Sequence, residues 1–146
     1  MPLSRRSVTA SRRETVRGAP HVQFSVAGVR YAIEAGCVRR SLAGRDVHDG
    51  HVEYDGARVP VRALRALWGL PASGGEGQVV VVEVGGSRAA LGVDTVGTLC
   101  AITAEAIQPL PGIYRGIERA WFAGLVSEAN APLIVVRAAA VFGEGF

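Results

Sequence analysis

The chain of 146 residues has no lysine, only two cysteines, one methionine and few aromatics, 6% in all. Cys37 and Cys100 are too few for a disulfide framework or a cysteine-ligated zinc site, and two thiols among apolar neighbours fit a reducing, cytoplasmic setting. No stretch approaches the ~20 consecutive apolar residues of a bilayer-spanning helix, so direct membrane insertion is not expected. Charge is also unevenly placed. All 16 cations are arginine, and Arg5, Arg6, Arg12, Arg13 and Arg17 precede the body of the chain, which is left close to neutral. A near-neutral body with few aromatic platforms lacks the clustered footprint of a nucleic-acid binder. The twin arginines of "SRRSVTASRRETVRGAP" do not open an export signal, because Ser, Thr, Arg and Glu follow where an apolar core is required. Composition predicts instead a disordered basic tail over residues 1–20.

What remains, residues 21–146, belongs to a chain that is 49% hydrophobic, enough for one compact domain or two small subdomains sharing a core. Short runs rich in β-branched residues, punctuated by turn signals, predict strands at 22–26, 30–35, 51–54, 57–61, 78–84, 88–93, 123–128 and 132–136. Ala27-Gly28, Asp55-Gly56, Gly85-Gly86 and Ala129-Asn130 supply hairpin turns. Helical periodicity is confined to "VRALRALWG" (61–69) and "VVRAAAVFG" (135–143), each closed by glycine.

An internal repeat organises these pieces. A shift of 58 residues places Val22, Val26, Gly28, Arg30, Ala32 and Val38 on Val80, Val84, Gly86, Arg88, Ala90 and Val96 without a gap. A shift of 74 places Gly50, Val52, Ala57, Val61, Ala66 and Gly69 on Gly124, Val126, Ala131, Val135, Ala140 and Gly143. The 16 extra residues of the second half fall between Val96 and Gly124. Two such units, each too small to bury both faces of its sheet, should pack together or close into small barrels.

The order of "FSVAGVRYAI", the "RVPVRALRALWGL" segment, "VVVVEVGGSRAALGVDTV" and "ITAEAIQPLP" resembles the CheW-like family of chemotaxis coupling domains over roughly residues 22–142. The resemblance implies a mainly β fold: two SH3-like five-stranded β-barrel subdomains related by a pseudo-twofold duplication, with short helices. The first barrel is expected mainly from 36–77 and the second mainly from 78–142, with strand exchange between the halves allowed. It further implies a non-catalytic adaptor of a chemotaxis-type signalling system, without cofactor, joining a chemoreceptor cytoplasmic tip to the regulatory domain of a histidine kinase. By position, a receptor-facing groove between the barrels would take in Val38, Gly50, Val52 and Glu53 with Leu91 and Val93, and kinase contacts would lie at the outer barrel ends. One departure stands out. Where the family usually has Asn-Leu-Arg-Gly, this chain has Glu53-Tyr54-Asp55-Gly56, which reverses the charge and places Asp55 among the partner-binding candidates.

Two other readings remain open beside it. "DVHDGH" gathers Asp46, His48, Asp49 and His51, ligand types for a divalent metal or small molecule held by a β-barrel. A solvated loop is the favoured reading, since on an extended strand residues 48 and 51 face opposite ways and no fourth ligand is evident; no metal site is assigned. The duplication also permits self-association through homologous barrel faces. Ser41, His48 and Asp94 can be drawn as a triad, but no nucleophile elbow supports it, and Asp94 reads as a turn cap. "GGEG" at 74–77 reads as a linker, Trp68 as core, and Trp121 as core or platform.

Overall fold

The computed structural model of the chain describes residues 18–111, 120–128 and 131–142. The arginine-rich segment 1–17, the Ala129-Asn130 turn and Gly143 lie outside these residues. Gly18, Ala19 and Pro20, expected in the tail, are instead the start of the first strand, because they pair with Ala101, Ile102 and Thr103.

Among the described residues ten strands form two five-stranded sheets. One contains β1 (Gly18–Val26), β2 (Val29–Glu34), β8 (Thr95–Thr103), β9 (Phe122–Val126) and β10 (Leu133–Val136), in the order β8-β1-β2-β10-β9. The other contains β3 (Val38–Ala43), β4 (His51–Tyr54), β5 (Ala57–Ala63), β6 (Gln78–Val84) and β7 (Ser87–Val93), in the order β3-β6-β7-β5-β4. The sheets therefore do not divide at residue 77: hairpin β6–β7 completes the sheet of β3–β5, and hairpin β1–β2 completes that of β8–β10. Under the repeat the two orders are the same. The registers repeat as well, since the parallel pairs set Val135 opposite Ala32 and Val61 opposite Ala90, positions related by the shifts of 74 and 58.

Beyond β3 and β8 the chain makes a 3-10 turn, Gly44–Asp46 or Ala104–Ala106, and crosses to the far edge of its own sheet. There single antiparallel bridges, His48 to His51 and Gln108 to Leu125, close the two barrels at equivalent places. In the first barrel Asp49-Gly50 makes this closure a tight turn, with both residues at positive φ, 54° and 76°. Gly124, its counterpart by the repeat, is required for another reason: a Cβ there would sit 2.4 Å from the Gln108 carbonyl oxygen. One matched glycine supplies a turn conformation and the other a close backbone approach.

Strand alternation sorts the apolar side chains into three clusters. Val79, Val81 and Ala90 point into the first barrel with Val52 and Val59, and Ala32, Leu133 and Val135 into the second with Ile102. Their neighbours Val80, Val82, Leu91, Tyr31, Ile33, Ile134 and Val136 face the opposite way and, with Phe24, Trp121 and Phe122, form the larger core between the barrels. Runs such as "VVVV" and "LIVV" are continuous because both faces of those strands are buried.

The helical segments are shorter than the periodicity predicts. Val61–Ala63 and Val135 stay in strands, held by parallel pairing with β7 and β2, and Val136 by antiparallel pairing with Phe122 of β9. The helices reduce to α1 (Leu64–Leu67) and a 3-10 stretch, Ala138–Phe142. Pro60 stands where β5 changes partners, opposite His51, whose carbonyl already accepts from the His48 N–H at 2.8 Å; a residue without a donor fits there.

Candidate functional site

The expected binding residues centre on hairpin β4–β5. Asp55 and Gly56 form its turn, both at positive φ, 56° and 75°. Alternation sends Val52 inward and leaves Glu53 and Asp55 outward, with Glu53 opposite Arg58. Arg88, at the start of β7, reaches over this hairpin. Its guanidinium donates to Asp55 Oδ2 at 3.3 Å and to Glu83 Oε1 at 3.2 Å, and lies 5.2 Å from the centre of the Tyr54 ring. Arg39 joins the cluster through Glu83 at 3.4 Å. Chiefly the Glu83 hydrogen bond, with Asp55 adding to it, holds the Arg88 proton more firmly than usual. The acidic turn that replaces the family's basic one is thus answered by a cation within the same chain.

The same device appears in the other barrel. Arg30, equivalent to Arg88 under the repeat, pairs with Glu128 and donates to the Ala131 carbonyl at 3.3 Å, so it grips the β9–β10 connection. In both barrels, then, the repeated arginine ties the second strand of a central hairpin to the neighbouring outer hairpin.

Of the residues expected to face a partner, Gly50, Glu53 and Asp55 are exposed and Val38 is half-buried opposite Val82. Val52, Leu91 and Val93 are buried, at 2%, 0% and 5% exposure. Val52 belongs to the first barrel's interior, whereas Leu91 and Val93 belong to the core between barrels. The expected open groove at Leu91 and Val93 is instead filled, by Phe24, Tyr31, Trp121 and Ile134 among others. The structure leaves Gly50, Glu53 and Asp55 of the hairpin region exposed and sets Leu91 and Val93 in the core between the barrels, away from the hairpin.

Asp94 does more than close its own strand. Its carboxylate accepts two bonds from Arg65, Nε to Oδ1 at 2.9 Å and Nη2 to Oδ2 at 2.6 Å, and one from the Ala27 N–H at 2.8 Å. The Arg65 bonds lower its pKa below the ordinary carboxylate value, against a smaller opposing effect of burial. None of Ser41, His48 and Asp94 bonds to another, so the triad does not assemble. Trp121 is the fully buried tryptophan, at 1% exposure, and Trp68 is half-buried beside it, their rings edge to face with centroids 5.7 Å apart.

The histidine loop is a tight turn in which His48 and His51 are bridge partners, hence on one side of the ribbon and not on opposite faces. The Asp49 carbonyl, an obligate acceptor, takes a hydrogen bond from His51 Nδ1 at 2.9 Å. Among the described residues no group of three or more His, Cys, Asp or Glu side chains is arranged to hold a metal ion.

Each barrel also has a cleft at the seam of its parallel strand pair. Val47, Val61, Ala63, Arg65 and Gly92 line one of about 350 Å³; their repeat equivalents Ile107, Val135, Arg137, Ala139 and Glu34 line the other, about 520 Å³. The second also takes in His21, a buried polar side chain anchored by Nδ1 to the Ala19 carbonyl at 2.9 Å. Arg65, Arg88 and His21 build these sites without having been expected from the sequence; the matched pair Arg30 and Arg88 was the available signal.

Comparison with known proteins agrees with this geometry. The sequence profile of the CheW-like domain matches residues 20–145. Fifteen solved chains match the fold. One of them, the scaffolding protein TtCheW from Thermoanaerobacter tengcongensis, superposes with a TM-score of 0.72 at 20% identity, covering 88% of this chain and 96% of that one. No curated protein matches. Among the described residues no helix is long and apolar enough to cross a membrane.

Proposed function

Because the chain belongs to the CheW-like domain family, we propose that it is a non-catalytic coupling adaptor of a chemotaxis-type signalling system, joining a histidine kinase to chemoreceptor tips. The observation that carries this reading is the extent of the family match, residues 20–145, which takes in nearly all of the described strands.

The receptor tip docks on the outer face of hairpin β4–β5, through Gly50, Glu53 and Asp55; Val52 holds the hairpin from inside the first barrel, while Val38, Leu91 and Val93 pack on the core between the barrels. Arg88 and Arg58 alternate there with Asp55 and Glu53, so the face presents both signs of charge, and a partner would be selected by charge order more than by net charge. The kinase regulatory domain engages a barrel end, where the two equivalent clefts offer apolar floors with polar rims.

Mixing the purified chain with the regulatory domain of its cognate kinase and with a receptor-tip fragment tests the reading. A ternary complex that needs the chain for its assembly is expected. Failure of the chain to join either partner at tens of micromolar would refute it.

A further inference from the structure

The two clefts at the parallel seams are not chemically alike. Under the repeat His21, Glu34 and Arg137, which line the cleft of the second barrel, stand where the first barrel has Val79, Gly92 and Ala63. The strand pairing is the same in both, since His21 lies opposite Glu34 as Val79 lies opposite Gly92. Val79 packs inside the first barrel at 2% exposure, so the fold accepts an apolar side chain at this place and does not itself call for a histidine. His21 is nonetheless buried, at 4% exposure. Its Nδ1 is bonded to the Ala19 carbonyl, which can only accept, so in the neutral ring Nε2 is an acceptor. Nothing among the described residues bonds Nε2, and that atom is not sealed away, so it opens on the cleft. Glu34 and Arg137 are exposed at the same cleft and, among the described residues, do not pair with each other. Two further groups there are already committed: the Cys37 thiol donates to the Glu34 carbonyl at 3.0 Å, and Glu83 is held by Arg39 and Arg88. Ile107, Ala123 and Val135 supply an apolar wall.

We propose that this cleft, of about 520 Å³, binds a small zwitterion, an α-amino acid with an apolar side chain. The ligand's ammonium group donates to His21 Nε2 and to the Glu34 carboxylate, its carboxylate accepts from the Arg137 guanidinium, and its side chain lies on the apolar wall. A simple anion would meet Glu34 and leave Nε2 without a donor, and a simple cation would meet Arg137. A molecule that carries both charges side by side answers all three groups at once. A metal ion fits less well, because among the described residues no three ligating side chains are arranged to hold one. The first barrel has none of the three groups at the matching positions, so the site is particular to the second barrel. The inference stands apart from the coupling role.

Titration of the full-length chain with leucine, valine and phenylalanine, read by calorimetry and by the NMR signals of the His21 ring, tests it. Saturable one-to-one binding of at least one of them, with a Kd of about 1 mM or tighter, is expected together with a shift of those signals. For the amino acid that binds, the N-acetyl derivative, which lacks the ammonium group, and the amide, which lacks the carboxylate, should each bind more weakly by about tenfold or more. Arg137→Ala, at an exposed position, and His21→Val, which installs the residue of the sister cleft, should weaken binding by a similar factor. Ser73→Ala, at the cleft of the first barrel, should leave it unchanged, with circular dichroism showing the variants folded as the parent. No saturable binding of any of the three at tens of millimolar, an N-acetyl derivative that binds as well as the free amino acid, or binding indifferent to Arg137→Ala would overturn the proposal.

Discussion

Arg65 and Asp94 close a two-pronged ion pair, 2.9 and 2.6 Å long, at the junction of the two barrels. Arg65 comes from α1, which follows β5 of the first barrel, and also holds the Pro71 carbonyl at 2.8 Å. Asp94 lies between β7 and β8 and at the same time caps the β1–β2 turn of the second barrel through Ala27. One carboxylate thereby fastens the helical cap of one sheet to the central hairpin of the other.

Acid should release this clasp. The folded state holds the Asp94 pKa below its ordinary value, so below the ordinary range the unfolded chain binds the proton more readily than the folded one. The clasp's contribution is fully present above that range and is lost as pH falls through the folded pKa. Asp94→Asn should lower stability at neutral pH and flatten its dependence in the acid range. Urea melts of both proteins at neutral and at acid pH check this; parallel pH profiles would count against it.

The matched glycines should fail for different reasons. Gly50→Ala places a side chain at positive φ with open space around it, a cost of about 1 kcal/mol. Gly124→Ala drives a methyl into the Gln108 carbonyl and the Ile107 side chain, and overpacking of that kind costs about 1–3 kcal/mol. Chemical denaturation of the two variants measures the difference, and replacement by serine should preserve the order.

The core between the barrels should be the more sensitive region. Leu91→Ala empties a fully buried site there and should cost about 2–5 kcal/mol. Trp68→Phe should stay within about 1 kcal/mol of the parent, because the Trp68 indole Nε1 is buried without a hydrogen-bond partner and its removal relieves that cost. Trp121 would then be the one remaining tryptophan, and its emission should be blue-shifted, as its burial requires.

Much of this architecture is legible in the sequence, and the parts that are not share a cause. The central hairpins announce themselves because Gly28, Arg30 and Ala32 recur as Gly86, Arg88 and Ala90, and the alternation between cores is strong in them. β3 and β8 escape a reading by pattern: each lies at a sheet edge, so solvent-facing Arg39, Arg40, Gly97 and Thr98 interrupt the apolar periodicity on which strand recognition depends. Val61 and Val135 look like helix starts because each opens a run rich in alanine and apolar residues that ends in glycine, and parallel pairing with β7 and β2, a long-range effect, keeps them extended. Leu91 and Val93 are misplaced at a groove because one sequence does not show which face of a doubly buried strand meets solvent.

The charge cluster on hairpin β4–β5 leads to a prediction about partner choice. Asp55→Arg would set two cations together, losing the 3.3 Å contact with Arg88, which keeps its bond to Glu83. The variant should fold, since Asp55 is exposed, and should gain affinity for acidic receptor tips while losing it for the cognate one. Binding of both fragments to parent and variant decides this; equal affinities throughout would make the charge reversal incidental.

Titration calorimetry of the chain against the cognate kinase regulatory domain tests the adaptor reading most directly. Saturable binding with one-to-one stoichiometry, and no turnover of any component, is the predicted result. Absence of binding at tens of micromolar, with both proteins folded, would contradict it.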